Sequence, residues 1–452
     1  MTGAALPDRL ALLGSIERTT CDYCVLTPPE EIERGPVLDL LVEARGEREV
    51  AAIFTGASFR SLGRTDVARL FAGETAQGSL ILAIRSEFLD RGIPYVREGF
   101  VMTRRRPAEK APVPVPVPSD EDRLLMALGA WAREEGALCD PAARALAARG
   151  DLDRTYLEGH ASEVGLGPVY AELRALASGG VERVPRALRA RFRRRLVAHS
   201  GENASRLIRH AFSGRPRRGA LVALLGPDGC GKSSTGRAAA AILGAVPGVR
   251  VRVAYLGPWG QIRLPTTRLC YKLGLVPEAI PWGRRLRARL LGRPETGDSL
   301  ARCAWKAAKA EARGLVYYAA VWIELIFRYV RDVRPGLRRG GVVLAERYVY
   351  DLAFVHDSRA IEGYRVLRRL VCRLFPRPDL SILLDNEPEE IHRRKPQLEV
   401  EEIAHQRRAY REALAGLRHR VLKTERGLDA VAAEVAAAAL DPERPLGSSV
   451  SI

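Results

Sequence analysis

A chain of 452 residues is long enough for two or three domains with an ample core. Hydrophobic residues at 47% and charged residues at 28% are ordinary for globular protein, which excludes collagen-like and wholly disordered chains. Lys+Arg number 72 against 54 Asp+Glu, a net charge of +18, yet only seven of the cations are Lys; such an Arg-heavy surface suits phosphate ligands, nucleic acid or anionic lipid, and equally reflects background composition.

Met1 to Leu13 has no basic leader, and Asp8 and Arg9 break its apolar stretch, so no signal peptide is expected. Seven cysteines at irregular spacing argue against a disulfide framework and for a reducing, cytoplasmic setting. Cys21-Asp22-Tyr23-Cys24 has no second ligand pair to complete a zinc site and reads as two ordinary strand or core cysteines. Residues 1 to about 110 form a mixed α+β unit. Within it, Gly35-Pro-Val-Leu-Asp-Leu-Leu-Val42 resembles a worn nucleotidyltransferase signature, Gly-Ser followed by Asp-x-Asp on a strand. Two carboxylates at spacing two point the same way from a strand and can share Mg²⁺. Only Asp39 is present, with Val37 in the other place and Pro36 for the Ser, so the resemblance implies a degenerate domain without transfer activity. An unrelated α/β module is the other reading.

Ala111 to Pro118 alternates Pro and Val, which favours extended polyproline. Ser119-Asp120-Glu121-Asp122 then starts a helical unit, with Leu124, Leu125, Leu128 and Trp131 on its apolar face; it runs to about 178 and resembles the helical part of nucleotidyltransferase domains. Val184, Leu188, Phe192 and Leu196 recur at spacing four among seven arginines between 183 and 199, a basic amphipathic helix. It is either a connector packed by one stripe or a surface for polyanions and anionic lipid. Ser213 to Gly219 is breaker-rich. These shifts divide the chain into an N-terminal domain (1–180), a basic helical linker (181–217), a second domain (218–440) and a disordered tail (441–452).

After the breaker, short aliphatic runs alternate with long helical stretches. The runs are Ala220–Leu225, Val249–Leu256, Gly341–Ala345, Leu380–Leu384 and His419–Lys423. This pattern predicts a parallel sheet with helices on both faces, an α/β fold. Leu315 to Phe327 is the one apolar stretch worth testing as a membrane span, but Glu324 and Arg328 interrupt it well short of the ~18 uncharged residues required.

Gly226-Pro-Asp-Gly-Cys-Gly-Lys-Ser233 matches GxxxxGK[ST], the phosphate-binding P-loop, and lies between a strand and a helix as that motif requires. The scarcity of Lys makes a chance match to this pattern rare. Gly226, Gly229 and Gly231 let the backbone curl so that successive N–H groups, including those of Cys230 and Ser234, face phosphate. Lys232 reaches the β/γ-phosphates and the Ser233 hydroxyl ligates Mg²⁺. ATP and Mg²⁺ are therefore the expected cofactors.

This loop resembles that of thymidylate kinase-like proteins, which carry an acidic residue two after the first Gly. Asp228 stands there, and the resemblance implies that it faces the acceptor; a local turn cap is the plainer role. Gly341-Val-Val-Leu-Ala-Glu-Arg-Tyr348 resembles the family's Asp-Arg-Tyr motif with Glu for Asp. It implies that Arg347 holds the acceptor or the transferring phosphate, and that Glu346 serves Mg²⁺ or orients the nucleophile. Tyr350-Asp351 and His356-Asp357-Ser358-Arg359 extend the likeness. Asp385 or Asn386 is expected to cap a helix that opens near Pro388-Glu389-Glu390 and runs to Arg393-Arg394-Lys395; with Glu401–Tyr410 after it, this resembles the family's run into the mobile lid. Arg393 and Arg394 are the candidates to stabilise the transferring group. Val421 to Ala436 resembles the last strand and closing helix.

The likeness covers about 218–440. It departs after the second strand, where Tyr255 to Gln261 and an Arg-rich insert to Arg293 replace the family's basic acceptor motif, so the acceptor is unidentified. Trp259 either stacks on an acceptor ring or is a packed turn residue. The expected activity is ATP-dependent phosphorylation of a nucleoside monophosphate or other small molecule, with an ATP-binding regulatory or scaffold role as the alternative. Nucleic acid is disfavoured as a partner, since aromatics are only 6% and no reader motif occurs. No transmembrane segment is expected; peripheral contact with an anionic surface and a homodimer stay open.

Overall fold

The computed structural model describes residues 7–108, 114–133, 137–203, 205–207, 219–258, 260–272, 316, 319–351 and 365–442. The chain divides into two compact units, Met1–Arg217 with Ile242–Val249, and Arg218–Ala241 with Arg250–Ile452.

The first unit is built on a mixed five-stranded sheet, β1 (Tyr23–Val25), β2 (Val37–Val42), β3 (Arg60–Arg64), β4 (Arg69–Thr75) and β5 (Gly78–Arg85), in the order β1-β2-β5-β4-β3. Only β2 and β5 run parallel; the other pairs are antiparallel. Leu38, Leu40 and Val42 alternate onto one face and bury against Phe54, Phe71, Leu80, Leu82 and Ile84. A short hairpin, β6 (Phe88–Asp90) and β7 (Ile93–Val96), leads toward the helices. The Pro-Val segment is partly a strand: β8 (Arg106–Pro107) pairs with β9 (Pro116–Val117), while 109–113 lie outside the described residues. Proline permits this because an isolated rung of two residues needs few N–H donors, and Val115 and Val117 gain burial by it.

Helices Asp120–Arg133, Pro141–Ala148, Arg154–Glu163, Gly167–Ser178 and Arg186–Ala198 complete this unit. Ser119 and Asp122 cap each other at the first helix start: the Asp122 N–H donates to Ser119 Oγ at 3.2 Å, and the Ser119 hydroxyl donates to Asp122 Oδ2 at 2.6 Å. On the basic helix Leu188, Phe192 and Leu196 are buried, as is Val184, which precedes the helix start. Several of its arginines are engaged locally: Arg191 pairs with Glu172, Arg189 donates to the Val184 carbonyl, and Arg193 donates to the Arg133 carbonyl. The apolar stripe is thus packed, while Arg183, Arg186, Arg194 and Arg195 are exposed.

The second unit is α/β. β10 (Ala220–Leu225), β11 (Val251–Tyr255), β12 (Val342–Glu346), β13 (Leu380–Asp385) and β14 (His419–Lys423) form one sheet in the order β11-β12-β10-β13-β14, every pair parallel. A parallel strand buried on both faces needs continuous apolar residues, and β10 and β13 are buried along their whole lengths. One face packs Leu221, Ala223 and Leu225 with Leu325, Tyr348, Phe375, Tyr410 and Leu414. The closing helix Leu428–Leu440 packs against β10 and β12. Among the described residues no helix is long and apolar enough to cross a membrane. Glu324 and Arg328, which broke the apolar run, are both 1% exposed and pair with each other at 2.8 Å. The insert at 273–293, His356 to Arg359, the tail from 443, and most of the 213–219 breaker lie outside the described residues.

Candidate functional site

Chain order 11-12-10-13-14 reverses direction at β10, and crevices beyond the carboxyl ends of strands at such a point receive ligands. The loop Gly226–Ser233 leaves β10 there and enters the helix Lys232–Ala245. Gly226, Gly229 and Gly231 have φ of 140°, 96° and 93°, a backbone that residues with side chains rarely adopt. At Gly226 a side chain would also collide with the Leu384 carbonyl and stand 2.7 Å from the Cys230 sulfur. Cys230 is fully buried, and burial raises its thiol pKa against the opposing charge of Lys232, so it packs the loop as a neutral group.

Lys232 is 6% exposed. Its ammonium donates to the Gly226 and Pro227 carbonyls, each at 2.7 Å, and lies 3.4 Å from Asp228 Oδ1. The cation is thus held at the loop by neutral carbonyls and one carboxylate. Ser233 donates its hydroxyl to Glu346 Oε1, which joins the helix start to the end of β12. Ser234 is exposed on the same turn.

Arg347 follows Glu346 with φ 63°, an uncommon conformation for a residue with a side chain. Its backbone N–H still bonds the Leu224 carbonyl at 3.0 Å, which fixes the turn. One edge of the guanidinium donates to Asp351 Oδ2 at 2.8 Å and the other to Asp228 Oδ1. Asp351 is fully buried and accepts a 2.9 Å bond from the Tyr410 hydroxyl. Burial alone would lower the Arg347 pKa, but Asp351 and Asp228 outweigh it and keep the group charged. For Asp228 burial would raise the pKa; Lys232, then Arg347, then Lys395 overcome this and hold the carboxyl below its usual range.

The loop after β11 lies against the same arginine. A Cβ at Gly257 would come 2.6 Å from Arg347 Cδ, so only glycine permits this approach. Buried Arg328 donates to the Gly257 carbonyl at 2.9 Å, and Glu324 accepts the N–H groups of Arg263 and Leu264, each at 2.9 Å. The pair therefore ties this loop to the helical stretch that carries Glu324 and Arg328, later in the chain. Trp259 lies outside the described residues.

The structure brings together Lys232, Ser233, Asp228, Glu346 and Arg347. It does not bring in Arg393 and Arg394. Both pair with Glu390 on their own helix Pro388–Arg394, and Arg393 is 78% exposed. That helix is not capped by Asp385 or Asn386. Glu387 precedes it without a side-chain cap, Asp385 ends β13 and pairs with Arg407 and Arg411, and Asn386 accepts from the Glu387 N–H. Two participants carry no local signal in the chain: Tyr410 reads as a helix residue and Lys395 as the end of a basic run, while Glu324 shows only as a charge interrupting an apolar run. Asp39, the lone carboxylate of the first unit's signature, is bidentate with Arg85 on the neighbouring strand β5.

No family model matches the chain. A probable thymidylate kinase of Archaeoglobus fulgidus is 36% identical over 58 residues, 13% of this chain and 29% of that protein. The likeness thus spans less than a third of that relative's length.

Proposed function

We propose that the second unit is a Mg·ATP-dependent phosphotransferase of the thymidylate kinase-like class, acting on a small-molecule acceptor, and that residues 1–180 form a nucleotidyltransferase-like domain without transfer activity. One observation carries the reading: three left-handed glycines and the near-buried Lys232 form a cradle at the carboxyl end of the central parallel strand. Such a loop presents amide N–H groups and a cation to phosphate. The partial likeness to a probable thymidylate kinase supports the same class.

The donor set suits Mg²⁺. Ser233 and Glu346 offer hard oxygens in direct contact, and Mg²⁺ binds through one or two such groups plus water and substrate phosphate. No larger cluster of metal-ligating side chains occurs among the described residues. Ser233 and Glu346 would hold the ion, which would supply charge neutralisation to the donor phosphates. In the transfer an acceptor oxygen forms a bond to the γ-phosphorus, the bond to the β-bridging oxygen breaks, and ADP leaves with that electron pair. Lys232 and the loop amides hold the donor phosphates. Arg347, kept charged and oriented by Asp351, faces the transferring group. Asp228 or Glu346 accepts the proton that the acceptor hydroxyl loses; a phosphate acceptor needs no such base.

ADP release against nucleoside monophosphates, nucleosides and sugars tests this reading. Acceptor-stimulated release supports it. Tight ATP binding with no stimulated release instead favours an ATP-binding regulatory or scaffold role, for which the attachment of both Arg393 and Arg394 to Glu390 speaks.

A further inference from the structure

We infer that Lys395, not its arginine neighbours, is the cation that the segment after β13 brings to the γ-phosphate of the donor; the inference rests on the nucleotide-binding reading above. The geometry begins at Gly229. A Cβ there would lie 3.0 Å from Lys395 Cβ, 3.2 Å from Ile391 Cγ2 and 3.3 Å from the Ile391 carbonyl, so the end of helix Pro388–Arg394 sits directly on the phosphate loop. Glu390 captures the residues three and four positions on, Arg393 and Arg394, as helical spacing allows. Lys395 is the next residue, and its φ of −147° and ψ of 87° take it out of the helix and out of that row.

The consequence is a division of charge. Arg407 and Arg411 are held by Asp385, and Arg347 by Asp228 and Asp351. Lys395 is exposed and its ammonium has no ion pair among the described residues. It can meet a phosphate without first breaking an ion pair, whereas Arg393 or Arg394 must leave Glu390. Its charge also acts on Asp228, together with Lys232 and Arg347. Negative charge spreads over the equatorial oxygens of the γ-group during transfer, and a compact ammonium on a flexible stem can follow it. A group placed this way senses the γ-phosphate and distinguishes ATP from ADP.

Calorimetric titration of the full chain with Mg·ATP and with Mg·ADP tests this, with thermal melts to show that each variant is folded. In Lys395→Met, ATP affinity is expected to fall about tenfold while ADP affinity stays within twofold. Lys395→Arg should recover most of the loss. Arg393→Ala and Arg394→Ala should leave both nucleotides within twofold. An unchanged ATP-to-ADP ratio in Lys395→Met, or loss of that ratio in either arginine variant, overturns the inference while leaving nucleotide binding intact. A wild-type chain that binds neither nucleotide overturns the proposed function, and this inference with it.

Discussion

Glu346 and Asp39 are both acidic residues on strands buried within a sheet, and their fates differ. Glu346 ends β12 in its last paired rung, between Leu224 of β10 and Tyr255 of β11, and meets the hydroxyl of Ser233. Asp39 lies in the middle of β2, where Arg85 from the parallel neighbour β5 takes both its oxygens. At a strand end the chain turns away and leaves a carboxylate facing a crevice. In mid-strand the adjacent strand supplies a side chain to the same spot, and a cation there closes the position. A carboxylate tied on both oxygens by a guanidinium is a structural group; one that touches a helix-start hydroxyl has room to serve a ligand.

The sharpest way to break this contrast is Lys232→Ala, which removes the cradle's cation. Phosphotransfer measured as ADP release is expected to fall at least about 100-fold, while Asp39→Asn should leave turnover within twofold. A strong loss in the Asp39 variant would put chemistry in the first unit after all. Asp39→Ala tests the structural side: it leaves Arg85 without its partner, and chemical denaturation should show a loss of about 3 kcal/mol. A change under about 0.5 kcal/mol would mean that the pair does not hold the sheet.

Tyr410→Phe sharpens the second unit. It removes one hydrogen bond to buried Asp351 and should cost about 1 kcal/mol of stability. If Asp351 positions Arg347, KM for the acceptor should rise several-fold while KM for ATP holds; a stability loss without that split would make the tyrosine a packing residue only.

The smallest effect expected is in acid. Because Asp228 has its pKa lowered by folding, it contributes stability above the unfolded carboxylate value of about 4. That contribution is lost as pH falls through the lower folded value. Denaturation of Asp228→Asn below about pH 4 should show a shallower dependence on pH than wild type; an identical slope would mean that Lys232, Arg347 and Lys395 do not act on this group.

Much of this was legible in the chain because the signals are local. The five runs become the parallel strands, with ends shifted by a residue or two; burial on both faces demands such runs in the inner strands β10, β12 and β13. The phosphate loop was legible because Gly226, Gly229 and Gly231 meet a backbone demand that few other residues can meet. The lid arginines were the natural choice in a basic run, but Glu390 stands one helical turn away from both and the alternation of charge favours their pairing. Glu324 and Arg328 carried a signal that spacing alone could not assign. Two charges four apart in an apolar helix are costly unless paired, yet their attachment to the loop at Gly257 and Arg263 depends on a segment about 60 residues distant in the chain.

By itself, then, the sequence determined the strands, the parallel sheet and the phosphate cradle, because each depends on neighbouring residues and backbone stereochemistry. Tertiary structure decided which charges are spent and which are free. Asp39 is bound by Arg85 and Arg347 by Asp228 and Asp351, and Lys395 is set beside the loop. An ion pair forms with whatever the fold brings within about 4 Å, and distance along the chain does not report that separation.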